Sequence, residues 1–143
     1  MPDMRTLNLE RFGISKNRYR EMKAFCLQYP EWKEKLSCLQ DLKGMANGEA
    51  VQSGTLGNPT EAAALACMEY SERIGYVESS LEMATGSDRI MYNALLKNIT
   101  KNMSFEQISP PVSRTVFFEI RTAFFVNLNR KLQYGLKGHE KML

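Results

Sequence analysis

Residues 103–132, MSFEQISPPVSRTVFFEIRTAFFVNLNRKL, contain the signals for two helices separated by a sharp turn. Ser104 can cap a short first helix that carries Phe105 and Ile108. Pro110 and Pro111 then end it, because proline cannot continue a helix and restricts the residue before it. Ser113 can accept a hydrogen bond from an amide of the next turn, which favours the start of a second, longer helix. The stretch therefore predicts a helix-turn-helix.

The second helix of this stretch separates apolar from polar residues on a helical wheel. One arc, which we expect to face the core, contains Val116, Phe117, Ile120, Ala123, Phe124 and Leu128. The opposite arc contains Thr115, Glu119, Thr122, Val126, Asn129 and Arg130, with Arg114 and Arg121 on one flank. Beside the apolar arc lie three more apolar residues, which another protein surface has to cover: Phe118, Phe125 and Leu132. That cover is either the N-terminal part of the same chain or a second copy of it.

The polar arc suggests a function in binding DNA. In a helix-turn-helix the second helix lies in the major groove and its N-terminal residues reach the base edges. Glutamate can accept a hydrogen bond from cytosine N4, and the threonine methyl can contact thymine. The predicted DNA-binding residues are Ser113, Arg114, Thr115, Glu119, Arg121, Thr122, Arg130 and Lys131, with Thr115, Glu119 and Thr122 at the bases and the four basic residues at the phosphates. The alternative is that Arg114 and Arg121 only solvate a packed helix.

The remaining periodicity is helical, so we expect an all-α fold with an N-terminal helical hairpin, a long central helix and a C-terminal helix-turn-helix. Residues 1–43 are interpreted as an arm followed by the hairpin, which breaks at Tyr29 and Pro30 and is anchored by Trp32. The glycine-rich residues 44–58 are interpreted as a flexible connector. Residues 59–143 form the helical core, with the helix-turn-helix at about 88–134. The central helix is expected to end near Gly86, and Ser87 or Asp88 to cap the next helix.

Charge is distributed unevenly along the 143 residues, whose net charge is +3. Residues 1–43 carry +3, residues 44–103 carry −3 and residues 104–143 carry +3. Basic ends around an acidic middle fit a protein that offers part of its surface to a polyanion. Uneven charge on solvated helix faces explains the same distribution.

Few residues are available for catalysis or metal binding. The three cysteines, Cys26, Cys38 and Cys67, suit neither a disulfide framework nor a zinc site, and we expect all three to be reduced core residues. The chain has a single histidine, His139, and no glycine-rich nucleotide fingerprint. We therefore expect no enzymatic activity, no cofactor and no metal. Without an apolar run of about 20 residues or a signal peptide, we also expect no membrane contact and a cytoplasmic location.

Three segments carry a resemblance to a known family. Residues 111–132, PVSRTVFFEIRTAFFVNLNRKL, resemble the C-terminal segment of phage late-gene transcription regulators of the RinA/ArpU type. Residues 29–32, YPEW, and residues 57–70, GNPTEAAALACMEY, resemble further parts of such proteins, so the resemblance covers about residues 16–134. It implies a helix-turn-helix similar to sigma-factor region 4. It also implies a phage or prophage regulator that binds double-stranded DNA in a bacterial host, with RNA polymerase as a further partner.

Two functions remain open on the sequence. The first is a DNA-binding transcriptional regulator that acts as a homodimer, so that two helices beginning near Ser113 meet a palindromic site. The second is a non-catalytic phage interaction module that binds a host protein such as RNA polymerase or a nuclease. DNA binding through phosphates weakens steeply with salt, whereas an apolar protein interface responds little, so salt dependence separates the two.

Overall fold

The computed structural model describes residues 9–48 and 57–142. These residues form helices and no β-strand, so the predicted all-α class is confirmed. In chain order the helices are α1 (Lys16–Leu27), α2 (Tyr29–Gly48), α3 (Gly57–Thr85), α4 (Arg89–Lys101), α5 (Phe105–Ile108) and α6 (Arg114–Met142).

The helix ends follow the local signals in the sequence. The hydroxyl of Ser15 accepts from the Arg18 amide at 3.1 Å and caps α1. Of the two expected caps for α4, Asp88 is the one used, since its carboxylate accepts from the amides of Ile90 and Met91 at 3.1 Å. Gly86, at φ +66°, follows the end of α3 in the left-handed conformation that favours glycine.

Other boundaries differ from the predicted ones. Pro30 was expected to separate two helices, but it lies in the first turn of α2, where its missing amide costs no hydrogen bond. The ends of the predicted connector are helical, because α2 continues to Gly48 and α3 begins at Gly57. The rest of the connector lies outside the described residues.

The chain divides into two compact units. Unit 1 comprises residues 1–28 and 76–143, and unit 2 comprises residues 29–75. The predicted boundaries lay at residues 43 and 58 and separated α1 from the C-terminal helices. In the structure α1 instead packs with α4 and α6 within unit 1. In unit 2, Tyr29, Trp32 and Ile74 are buried, and the Lys35 ammonium lies 5.8 Å from the centre of the Tyr70 ring.

The core of unit 1 is formed mainly by apolar side chains of α1, α3, α4 and α6. The fully buried ones on these helices are Met22, Cys26, Val77, Leu81, Leu95, Ile99, Phe117, Phe124, Phe125 and Leu128. Each buried Phe stabilises the folded state by about 1.5–3 kcal/mol relative to an exposed one. Of the three cysteines expected in the core, Cys26 is buried, Cys67 is half-buried and Cys38 is exposed, so the prediction for Cys38 is wrong.

The buried face of α6 is rotated by about a quarter turn from the predicted arc. Val116, expected in the core, is 40% exposed, and Ala123 is exposed. Phe125, expected beside the core arc, is buried and meets the Tyr19 ring edge to face at 5.2 Å. Asn129, expected on the polar arc, is buried and accepts from the Arg18 guanidinium at 2.8 Å. Helix α1 of the same chain therefore provides the cover that Phe125 requires.

Candidate nucleic-acid interface

The helix-turn-helix of unit 1 consists of α4, α5 and α6, and its turn is built from side-chain caps. Ser104 and Gln107 form a reciprocal capping box on α5, with distances of 2.9 and 3.2 Å. Ser109 ends α5 at φ +48°, a left-handed conformation that turns the chain toward the two prolines. Ser113 then caps α6 by accepting from the Val116 amide at 3.2 Å. The predicted capping by Ser104 and Ser113 is confirmed.

Contacts from both neighbouring helices hold the turn in place. The Phe105 ring of α5 meets the Phe117 ring of α6 edge to face at 5.5 Å. The Asn98 side chain of α4 donates to the Met103 carbonyl at 2.8 Å, just before α5 begins. The direction in which α6 leaves the turn is therefore fixed by packing and by hydrogen bonds.

The N-terminal end of α6 presents an exposed surface. Its exposed residues are Ser113, Arg114, Thr115, Val116 and Glu119, which we call the reading face. Among the residues predicted to contact the bases, Thr115 and Glu119 lie on this face. Val116 joins them because the helix is rotated relative to the predicted arc. Sequence reasoning missed Val116, since an apolar residue beside Phe117 is normally assigned to the core.

Arg121 does not lie on the reading face, which corrects the expected phosphate contact. Only 3% of its surface is exposed. Its Nε donates to Asn98 Oδ1 at 2.7 Å and its Nη2 donates to the Tyr19 hydroxyl at 2.7 Å. The guanidinium also lies 4.9 Å from the centre of the Phe125 ring. Arg121 therefore joins α1, α4 and α6 inside unit 1 and cannot reach a phosphate.

Two further side chains that were predicted to contact DNA form hydrogen bonds within the protein. Thr122 is half-buried, and its hydroxyl donates to the Phe118 carbonyl one turn earlier at 2.8 Å. Lys131 is also half-buried, and its ammonium donates to the Ser79 hydroxyl at 2.6 Å. The Lys131 side chain therefore links α6 to α3. Thr122 lies at the edge of the exposed surface.

Arg114 and Arg130 are the predicted phosphate ligands that remain exposed. Arg114 pairs with Glu106 of α5, and its guanidinium lies 5.1 Å from the centre of the Phe118 ring. The pair is exposed, so solvent screens it and Arg114 can exchange Glu106 for another anion at little cost. Arg130 lies about 22 Å along the helix axis from Thr115.

An open groove of about 430 Å³ runs beside α6. One side is formed by Arg11 and Phe12, which precede α1, and the other by residues of α6: Glu119, Thr122, Ala123, Val126 and Asn127. The sequence did not indicate this groove, because residues before Ser15 show no helical periodicity. The only local signal is the pair of apolar residues Leu9 and Ile14 around Gly13, and both are buried.

The two units differ in charge. Unit 1 contains 15 Lys and Arg and nine Asp and Glu, a net charge of +6, whereas unit 2 contains four and seven, a net charge of −3. The basic excess therefore belongs to the unit that contains the helix-turn-helix. The modest net charge of the whole chain conceals this separation.

The titratable groups with shifted pKa values lie away from the reading face. Burial raises the pKa of the Cys26 thiol to about 12, although the nearby Arg121 charge opposes the shift. Burial, together with Glu78 and Glu82, raises the pKa of Tyr92. Cys26 is therefore a protonated thiol at neutral pH. In the described part of the chain, no group of three or more His, Cys, Asp or Glu side chains is placed to hold a metal ion.

Comparison of the chain with protein-family models, with curated proteins and with solved structures gives no match. The helices over residues 9–48 and 57–142 include none with the length and apolar character needed to cross a bilayer.

Proposed function

We propose that this chain is a sequence-specific, double-stranded DNA-binding regulator of transcription that places the first turns of α6 in the major groove. The observation that carries the proposal is the reading face, an exposed helix N-terminus that follows a capped turn and is held by α4 and α5. Helix-turn-helix proteins present this part of their second helix to base edges.

The charge distribution supports the same proposal. Unit 1 has a net charge of +6, and a basic unit attracts the phosphate backbone, which supplies most of the sequence-independent affinity for DNA. Arg114 and Arg130 are exposed and suited to phosphate contacts. The buried Arg121 stabilises the unit and takes no part in DNA binding.

The chemistry of the reading face fits base recognition. Glu119 can accept a hydrogen bond from cytosine N4, and Thr115 and Val116 can place methyl groups against thymine. Glu119 also repels phosphates, so its carboxylate is more favourably placed at the centre of the DNA major groove than near the phosphates at its edge. The resemblance to phage late-gene regulators agrees with this role and adds a phage or prophage origin, the bacterial cytoplasm and RNA polymerase as a further partner.

The experiment is selection of bound fragments from a random duplex library by the purified chain, followed by fluorescence anisotropy on the selected site between about 50 and about 200 mM salt. A recurring motif with a steep fall of affinity with salt supports the proposal, and paired half-sites would indicate a dimer. Absence of any recurring motif, or equal weak binding to every duplex, overturns it.

A second candidate function rests on the apolar residues near the reading face. Phe12 is 56% exposed and Val116 is 40% exposed. Exposed aromatic and aliphatic side chains beside a groove also suit a protein partner such as a host polymerase or nuclease. Binding to such a partner that changes little with salt, together with no selected DNA motif, would favour this function.

A further inference from the structure

The turn formed by residues 9–14, which we call the arm turn, is fixed at both ends. Leu9 and Ile14, one at each end of the turn, are both buried. The amides of Phe12 and Gly13 donate to the carbonyls of Leu9 and Glu10 at 2.9 and 3.0 Å, and Gly13 adopts φ +76°. Arg11 and Phe12 are thus exposed at the tip of an ordered turn.

The position of the arm turn relative to the reading face is defined by the groove. Arg11 and Phe12 face Glu119, Thr122, Ala123, Val126 and Asn127 across an open groove of about 430 Å³. Glu119 belongs both to this groove and to the reading face. The arm turn therefore lies beside the part of α6 that directly follows the reading face.

Distances along α6 indicate what would lie there in a DNA complex. Ala123 lies about 12 Å along the helix axis from Thr115, since an α-helix rises 1.5 Å per residue. The major groove is about 12 Å wide. With the axis of α6 directed across the width of the major groove and Thr115 at the base edges, the protein surface near Ala123 lies at the border of the major groove, where the sugar-phosphate backbone runs.

We propose that the arm turn is a second DNA-contacting element, in which Arg11 binds a backbone phosphate beside the reading face. This inference rests on the proposed function. The planar guanidinium is suited to a phosphate because two of its N–H groups can donate to one anion. Arg11 would thereby supply a positive charge at this border of the DNA major groove. Arg121, which was expected to contact a phosphate, is buried in the core and does not supply it.

The test compares wild type, Arg11→Ala and Arg20→Ala on the selected site by fluorescence anisotropy at several salt concentrations. Arg20 is an exposed arginine of α1 that does not line the groove, so it is the matched control for the loss of one surface charge. Thermal unfolding followed by circular dichroism checks that all three proteins fold alike.

We expect Arg11→Ala to lower the slope of log affinity against log salt by about 0.9, the value for one phosphate contact, and to weaken binding to all sequences alike. Arg20→Ala should keep the wild-type slope, and Arg11→Lys should restore it. If wild type binds its site and Arg11→Ala has the same slope and affinity, this inference fails and the proposed function stands. If Arg11→Ala changes the preference at one base pair, the phosphate role is wrong. If wild type selects no site, both fail.

Discussion

Arg121 is a cation in the interior of unit 1, and its surroundings explain why it is tolerated there. An isolated charge is costly to bury unless hydrogen bonds replace its hydration. Asn98 and Tyr19 provide two such bonds, and the rings of Phe125 and Tyr19 lie 4.9 and 5.5 Å from the guanidinium carbon. Stacking on aromatic rings favours Arg over Lys, because the guanidinium group is planar and the ammonium group is not.

Replacement of Arg121 distinguishes a core role from a DNA-binding role. Arg121→Met should lower the free energy of unfolding by about 2–4 kcal/mol, because it leaves Asn98 and Tyr19 without their shared partner. Urea unfolding measures this change. The folded variant should keep the wild-type salt dependence of DNA binding. Unchanged stability with a salt slope reduced by about 0.9 would instead assign Arg121 to a phosphate.

Cys26 gives a prediction for the pH dependence of stability. Its folded pKa of about 12 lies above the value near 8.5 of an unfolded thiol, so the folded state holds the proton more tightly. This contribution is complete below about pH 8.5 and is lost as pH rises toward about 12.

The measurement compares urea unfolding of wild type and Cys26→Ala from neutral to alkaline pH. Above about pH 9 the wild type should lose about 1.4 kcal/mol per pH unit more than the variant, the amount for one proton. Cys38→Ala, which removes an exposed thiol, should follow the wild type. A Cys26→Ala variant with the same pH dependence as wild type would show that the thiol titrates normally.

For the individual helices, the sequence predicted the ends better than the buried faces. Caps such as Ser104, Asp88 and Ser113 act on amides two or three residues away, so the local sequence contains all that determines them. The buried face of α6 was placed incorrectly because Arg121 lies at its centre. Hydropathy counts an arginine as exposed, and only the partners on α1 and α4 make it a core residue.

The cap of α6 tests how the turn orients the reading face. Ser113→Ala should destabilise unit 1 by about 0.5–2 kcal/mol, since the Val116 amide loses its acceptor. Ser113→Asp should keep the stability, because aspartate also caps, but weaken DNA binding by adding a negative charge at the reading face. Thermal unfolding and anisotropy measure the two effects. Equal losses of stability in both variants would argue against the cap.

The packing of α6 can be tested with two phenylalanines that differ in burial. Phe124 is fully buried and Phe12 is 56% exposed. Phe124→Ala should cost about 3–5 kcal/mol and unfold the helix-turn-helix, because it removes a ring from the core and leaves a cavity. Phe12→Ala should change stability little. Far-ultraviolet circular dichroism during thermal unfolding compares them, and a Phe124→Ala variant as stable as wild type would contradict the packing described for α6.

Two features of the protein depend on residues far apart in sequence. The groove joins residues 11 and 12 to residues 119–127, and the basic unit 1 joins residues 1–28 to residues 76–143. Summing charge along the chain showed basic ends around an acidic middle. It could not show that the two ends belong to one unit, because that association depends on α1 packing with α4 and α6.

We propose that the reading face contacts DNA bases through Thr115 and Glu119. The most direct measurement is the affinity of wild type and Glu119→Ala for the selected site and for versions with each base pair changed, at one fixed salt concentration. We predict that Glu119→Ala loses about 1–3 kcal/mol of discrimination at a single pair containing cytosine and keeps the wild-type preference elsewhere. An unchanged preference at every base pair would contradict the claim that this face of α6 reads the sequence.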